Sequence, residues 1–247
     1  MTAHPIGIDF GGTGIKAAPV DLTSGEFAMS RLRIDTPQPA TPAAVASVME
    51  QLCGQFPEFT GPVGVAVPGV VRHGVVKSAA NIDHAWIDTD ADAMLTERLG
   101  RPVHVLNDAD AAGVAEVTYG AAKGRQGLVI ITTLGTGIGT ALIYNGQLIP
   151  NAELGHIEIG GHDAESRAAA SAKTREDLSY PRWAKRLTRY YRTLERLLSP
   201  DLFVVGGGIS KHADRFLPLI EIKTEIVAAT LRNTAGIVGA AAQAHLD

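Results

Sequence analysis

The 247-residue chain is 45% hydrophobic and 19% charged with a formal net charge of −4, a balance that suits a folded globular protein and excludes both disorder and a generally basic nucleic-acid coat. Its one cysteine, Cys53, excludes an internal disulfide and a Cys-rich zinc centre, and reads as a small buried hydrophobe. No apolar run reaches the ~18–20 residues of a membrane helix, and Met1-Thr2-Ala3-His4-Pro5 lacks the basic-then-apolar order of a signal peptide, so a cytoplasmic protein with neither membrane nor nucleic acid as partner is expected.

In chain order, residues 6–10 read as a strand, Gly12-Thr13-Gly14 as a turn, and 15–20 as a second strand. Thr41 before Pro42 is a helix N-cap followed by proline at the first helical position. Val45, Val48, Met49, Leu52, Cys53 and Phe56 then continue at helical spacing. Residues 62–67 and 102–106 read as short buried strands, and 109–119 as a helix capped by Asn107 or Asp108. The opening then repeats. Gly12-Thr13-Gly14-Ile15 recurs as Gly135-Thr136-Gly137-Ile138, half the chain further on, again between strand-like runs, 128–133 and 138–144. The matched flanks favour duplication over a chance match in a glycine-rich chain.

Residues 167–196 concentrate basic side chains: Arg167, Lys173, Arg175, Arg182, Lys185, Arg186, Arg189, Arg192 and Arg196, opposed only by Glu176, Asp177 and Glu195. From Arg182 the pattern is helical, started by Ser179 and Pro181 and stopped by Ser199-Pro200. At about 100° per residue, Trp183, Leu187, Tyr190, Tyr191, Leu194, Leu197 and Leu198 share one face and the basic residues the other. That basic face reads either as a solvated surface or as a contact for a polyanion. Residues 202–205 form another buried strand ending in Gly206-Gly207-Gly208, and 237–246 an alanine-rich helix. The alternation predicts α/β architecture.

Asp9-Phe10-Gly11-Gly12-Thr13-Gly14-Ile15-Lys16 has a chemical logic. A strand delivers a carboxylate into a glycine turn whose N–H groups can converge on phosphate oxygens. Asp9 suits Mg2+ held through water; Thr13 offers a hydroxyl and Lys16 a cation. Gly135, Thr136 and Gly137 supply a second such turn, and Gly206, Gly207 and Gly208 a third bend. Taken singly, each is equally a hairpin, and none completes a Walker A or opens a clear Rossmann unit. Asn107-Asp108, taken alone, reads as capping. Glu153 and His156 stand three residues apart; such a pair can bind metal, but no third ligand cluster is evident in the sequence, and hydrogen bonding to a polyol is the better reading, or else a surface loop.

Together, and in this order, these elements resemble the ROK family of sugar kinases and repressors, within the actin-like ATPase superfamily. The resemblance covers essentially the whole chain. It implies a duplicated ribonuclease H-like α/β fold with two lobes around a cleft: an N-terminal lobe over 1–106, a C-terminal lobe over 107–236, and the helix of 237–247 packed back on the first. It implies Asp108 as catalytic base and Asn107, Glu153 and His156 as sugar ligands. Asn81, in Ala80-Asn81-Ile82, matches the sugar contact from the first lobe, with Pro68-Gly69 as the loop before it. One departure stands out. Most members carry a Cys-rich zinc motif after the Gly-His element, ending in a sugar-binding glutamate. Here that region reads Gly160-Gly161-His162-Asp163-Ala164-Glu165, so no zinc is expected, and Glu165 is the candidate glutamate.

Zinc loss, short length and the basic helix resemble the members that use inorganic polyphosphate, some of which also use ATP or accept mannose. The implied reaction is phosphorylation of the glucose 6-hydroxyl from polyphosphate or ATP with Mg2+. Arg182, Lys185, Arg186, Arg189 and Arg192 would carry the polymer tail, and the family implies a homodimer. Three alternatives stand beside it. A strictly ATP-dependent hexose kinase fits the same turns. A sugar-responsive repressor is disfavoured, because only eight residues precede Asp9 and leave no room for a helix-turn-helix domain. A nucleotide-binding chaperone or filament module is disfavoured by Glu153, His156 and the small size.

Overall fold

The computed structural model describes residues 4–79 and 82–246; Asn81, the expected sugar contact of the first lobe, lies outside them. The chain forms two compact units, Met1–Ala115 with Thr234–Asp247, and Glu116–Asn233. The first unit thus runs beyond residue 106, the boundary expected from the sequence. The reason is packing: Ala111 is buried in one cluster with Ala66, Leu106 and Ala240 of the same unit.

In the first unit the elements are β1 (Ile6–Phe10), β2 (Gly14–Asp21), β3 (Glu26–Phe27), β4 (Leu32–Asp35), α1 (Pro42–Cys53), β5 (Val63–Val67), β6 (Val71–Arg72), β7 (Val75–Val76), α2 (Ala91–Leu99), β8 (Val103–Asn107) and α3 (Asp108–Thr118), which continues into the second unit. The sheet order is β3-β2-β1-β5-β8, with β4 also on β2. β1 runs antiparallel to β2 and parallel to β5, which is parallel to β8. All five residues of β5, Val-Gly-Val-Ala-Val, are buried, as a central parallel strand covered on both faces requires. Thr41 caps α1 through a hydrogen bond from Ala44 N, and Val45, Met49 and Leu52 face the core.

The second unit holds β9 (Leu128–Leu134), β10 (Ile138–Tyr144), β11 (Gln147–Ile149), α4 (Ala164–Ala168), α5 (Ala170–Arg175), α6 (Tyr180–Leu198), β12 (Leu202–Gly206) and β13 (Glu225–Ala228). Its sheet order, β11-β10-β9-β12-β13, repeats the scheme of the first. β9 is antiparallel to β10 and parallel to β12, which is parallel to β13. The echo in sequence is therefore an echo in topology. The turns differ in length: the first lies between the paired Phe10 and Ile15, the second between Leu134 and Ile138, one residue shorter.

The last helix, α7 (Ala235–Leu246), belongs to the first unit and lies against β1, β5 and β8. Glycine makes that approach possible. A Cβ on Gly7 would collide with the carbonyl of Ile237, and one on Gly64 with that of Ala240.

α6 is built as its pattern predicts, with two corrections. Trp183, Leu187, Tyr190, Tyr191 and Leu194 are buried. Trp183 sits 4.9 Å from Phe216 and Tyr191 5.0 Å from Phe203, ring to ring. Leu197 is 57% exposed; in the last turn only Leu198 still packs on the core. Ser179 occupies the N-cap position, but its side chain makes no capping bond. Proline in the first turn starts the helix instead, and Ser199, in the left-handed conformation (φ 48°), ends it. Among the described residues no helix is long and apolar enough to cross a membrane.

Candidate active site

In the first unit three parallel strands end at one edge of the sheet. β1 leads into the first glycine turn, β5 into Pro68-Gly69 and β8 into Asn107-Asp108. The open edge beyond the carboxyl ends of parallel strands is where α/β sheets bind ligands. Gly11 N donates to Gly14 O at 3.1 Å, closing the turn. Arg33 Nη2 donates to Thr13 O at 2.9 Å and Thr36 Oγ1 to Gly11 O at 2.6 Å. Nothing in the sequence marks Arg33 or Thr36; they reach the turn because β4 pairs with β2. Asp9 and Lys16 face each other across β1 and β2 in a 2.8 Å ion pair. Lys16 thus neutralises Asp9, whose other oxygen lies outside the pair.

Asn107 is buried and engaged at both ends. Its Nδ2 donates to Gly69 O at 3.1 Å, and its Oδ1 accepts from Ala109 N at 2.8 Å and Asp110 N at 3.1 Å. It is the cap of α3. Asp108 is the first residue of that helix and is exposed, a carboxylate at the positive end of the helix dipole.

The second unit repeats the edge. β9 and β12 are parallel, with Gly206 opposite Thr133, so Gly206-Gly207-Gly208 begins beside the second turn. Gly135 N donates to Gly137 O at 3.0 Å. Ser171 clamps the turn twice, its N to Gly135 O at 3.0 Å and its Oγ to Thr136 O at 2.6 Å. Glu165 Oε2 accepts from Ile138 N at 2.9 Å. The candidate glutamate is thereby tied to the end of the second glycine turn. Buried Thr140 anchors the Glu153 loop: its hydroxyl donates to Ala152 O and accepts from Leu154 N.

His156 stands among three carboxylates. Its Nδ1 is 2.9 Å from Asp163 Oδ2 and 4.0 Å from Glu165 Oε1, and its Nε2 is 3.9 Å from Glu153 Oε2. The hydrogen bond to Asp163 raises the His156 pKa above 6.5; burial opposes the shift, and the charges of Glu165, Asp163 and Glu153 add to it. Ligand atoms of His156, Asp163 and Glu165 lie within 4.8 Å of one another. That cluster is closed by its own hydrogen bonds, since Asp163 Oδ1 also accepts from Glu165 N at 3.1 Å.

On the basic face of α6 the sequence overcounts free charge. Arg186 is paired with Glu176 at 2.5 Å and donates to Arg167 O, and Arg192 is paired with Glu221 at 3.3 Å. Lys185, Arg189 and Arg196 are exposed, with no ion-pair partner among the described residues. With Arg192, Lys223 and the carboxylates Glu158, Glu195 and Glu221 they line a groove of about 1240 Å³. Arg182 is not among the residues that line it. Arg189 and Ile159 also line a neighbouring pocket of about 250 Å³ that reaches Asp163.

Two sheets of the same strand order, each leading into a glycine turn, with a Glu-His element after the edge strand of the second, are the arrangement expected of the ROK family, and the chain belongs to it: residues 5–171 match the ROK family. The chain is 53% identical over 245 residues to a polyphosphate glucokinase of Mycobacterium tuberculosis (strain CDC 1551 / Oshkosh), covering 99% of this chain and 92% of that one. The structure of inorganic polyphosphate/ATP-glucomannokinase from Arthrobacter sp. strain KM matches at TM-score 0.93 and 55% identity, over 99% of both chains. A ROK family glucokinase from Streptomyces griseus, solved with glucose and AMPPNP, matches at TM-score 0.85 and 26% identity, over 99% of this chain and 100% of that one. The fold is that of these neighbours, the duplicated actin-like ATPase fold.

Proposed function

We propose that this protein is a polyphosphate-dependent glucokinase, transferring the terminal phosphoryl group of inorganic polyphosphate, or of ATP, to the 6-hydroxyl of glucose, with mannose as a second acceptor. The observation that carries this reading is the likeness, over nearly the whole chain, to enzymes named for that activity. Asp108 takes the proton of the attacking hydroxyl. The sugar oxygen bonds to phosphorus as the bridging oxygen leaves, and the donor departs as a polymer one phosphate shorter, or as ADP. The transition state is loose, so positioning and charge neutralisation outweigh covalent chemistry. Asn81, Asn107, Glu153, His156 and Glu165 hold the sugar. Gly11, Gly12, Thr13 and Gly14, with Gly135, Thr136 and Gly137, hold the phosphates, and Gly206, Gly207 and Gly208 the nucleotide when ATP is donor. The Asp9 oxygen outside the Lys16 pair is a hard ligand suited to Mg2+ through water; bound there, the ion would neutralise donor phosphate charge.

Asp108→Asn should lower kcat by at least ~10²-fold, the low end for a general base, while glucose binding persists. Near-normal turnover would remove Asp108 from that role. A donor-by-sugar assay on nucleotide-free protein separates the readings: turnover with ATP alone would make it a strictly ATP-dependent hexose kinase. The family likeness supports a cytoplasmic homodimer, and light scattering tests the dimer.

The groove on α6 supports a path for the polymer tail along Lys185, Arg189, Arg192 and Arg196. Exposed contacts contribute roughly 0.5 kcal/mol each, so Lys185→Gln, Arg189→Gln and Arg196→Gln together should raise KM for long polyphosphate about tenfold. KM for ATP should stay nearly constant. Equal losses for both donors, or none for either, would return this face to a solvated surface.

A further inference from the structure

The residues between His156 and Glu165 make a small, closed device. Glu158 and Asp163 bridge across Ile159-Gly160-Gly161-His162, and Ile159 N donates to His162 O at 2.8 Å. Gly160 and Gly161 have φ of 65° and 76°. This succession of left-handed residues makes the tightest hairpin turns and strains any other side chain. The turn brings Asp163 back onto the His156 ring.

Asp163 is then fixed from every side. Its Oδ1 caps α4 by accepting from Glu165 N, its carbonyl accepts from Ser166 Oγ at 2.6 Å, and the next residue, Ala164, donates to Ile157 O at 3.0 Å. The remaining oxygen, Oδ2, meets His156 Nδ1 at 2.9 Å. An ionised carboxylate can only accept, so the Nδ1 facing it carries the proton. The same carboxylates favour the doubly protonated ring, so the arrangement applies above the raised His156 pKa, where the ring is neutral and Nε2 is an unprotonated acceptor 3.9 Å from the Glu153 carboxylate. Two acceptors side by side suit hydroxyls that donate. The opposite tautomer would turn an Nε2–H donor toward Glu153, and the two would satisfy each other rather than a sugar.

We infer that Asp163 is a positioning residue for sugar binding: it orients the His156 ring and holds the proton on Nδ1, so that Nε2 and Glu153 remain available to sugar hydroxyls. This rests on the reading of His156 as a sugar ligand. Asp163 touches no sugar itself and acts through the imidazole, as carboxylates behind functional histidines commonly do.

Asp163→Ser separates this role from capping, because serine caps a helix well but does not reach the ring. Its glucose KM should rise about tenfold, the size of one lost charge-assisted hydrogen bond. That rise should exceed any fall in kcat, with the polyphosphate KM and melting temperature near wild type. Asp163→Asn retains an acceptor for Nδ1 and should lose less. Above the His156 pKa, nitrogen-15 spectra should show the Nδ1–H form in the wild type and a tautomer mixture in Asp163→Ser. In a His156→Ala background, Asp163→Ser should add nothing to the glucose KM. Wild-type glucose KM and ring spectrum in Asp163→Ser, or its full loss repeated on top of His156→Ala, would overturn the inference. If His156→Ala leaves glucose KM unchanged, the sugar-ligand reading fails, and an unchanged ring spectrum in Asp163→Ser would then overturn the positioning role separately.

Discussion

Asn107 shows how much structure a single side chain can hold. Its oxygen closes the first turn of α3 and its nitrogen holds the Gly69 carbonyl, so Asp108 is presented by a buried, doubly anchored neighbour. The capping role is visible in the sequence, because Asn before a helix start accepts from the backbone two and three residues on. The link to Gly69 spans 38 positions, and only the parallel pairing of β5 with β8 creates it. Asp163 is the harder case. Its role depends on a glycine pair whose double left-handed geometry folds the chain back, and the sequence shows the glycines without saying what they face. Residue chemistry also makes a pH prediction. His156 has its pKa raised in the folded state by Asp163, so the protonated ring is better held there than in the unfolded chain. That stabilisation is complete below the unfolded value of about 6.5 and is lost as pH rises through the raised folded value. The melting-temperature advantage of wild type over His156→Gln should shrink over that window; a constant gap would contradict it.

At the scale of elements, α6 tests how far a periodic pattern can be trusted. Its apolar face is read correctly through Leu194 because each of those side chains falls on the second unit's core. Leu197 shares that face by angle, yet lies in the last turn and is exposed. Leu187→Ala should therefore cost about 2–5 kcal/mol of unfolding free energy, the range for a large buried aliphatic side chain. Leu197→Ala should stay within about 0.5 kcal/mol, as surface changes usually do. Denaturant titration checks both, and similar costs would show the helix packed otherwise. The polar face is less legible. Glu176 is a near neighbour in sequence, but Glu221, which pairs with Arg192, arrives from a segment 29 residues away. Charge counted along a helix overstates what is free whenever a distant loop folds back on it.

At the scale of the molecule, the four-residue echo of Gly-Thr-Gly-Ile announces two sheets with the same strand order. The hydrophobic runs locate β1, β2, β5, β8, β9, β10 and β12 to within a residue or two, because these strands are largely buried, while β3, β4, β6, β7, β11 and β13, short or partly exposed, escape that reading. The position of the unit boundary inside α3 is not legible, since a continuous helix carries no break in pattern where its packing partners change. The placement of α7 on β1, β5 and β8 has a consequence in time. Elements of the first unit are made on both sides of the second, with Glu116–Asn233 synthesised in between. During synthesis the second unit can fold as soon as its own uninterrupted segment has emerged. The first sheet must wait, with the surface meant for α7 uncovered, until a helix more than two hundred residues from β1 arrives. Contacts so distant along the chain slow folding, and exposed apolar strands invite association with other nascent chains. Of the two units, the one whose first strands are made earlier is the last to be finished.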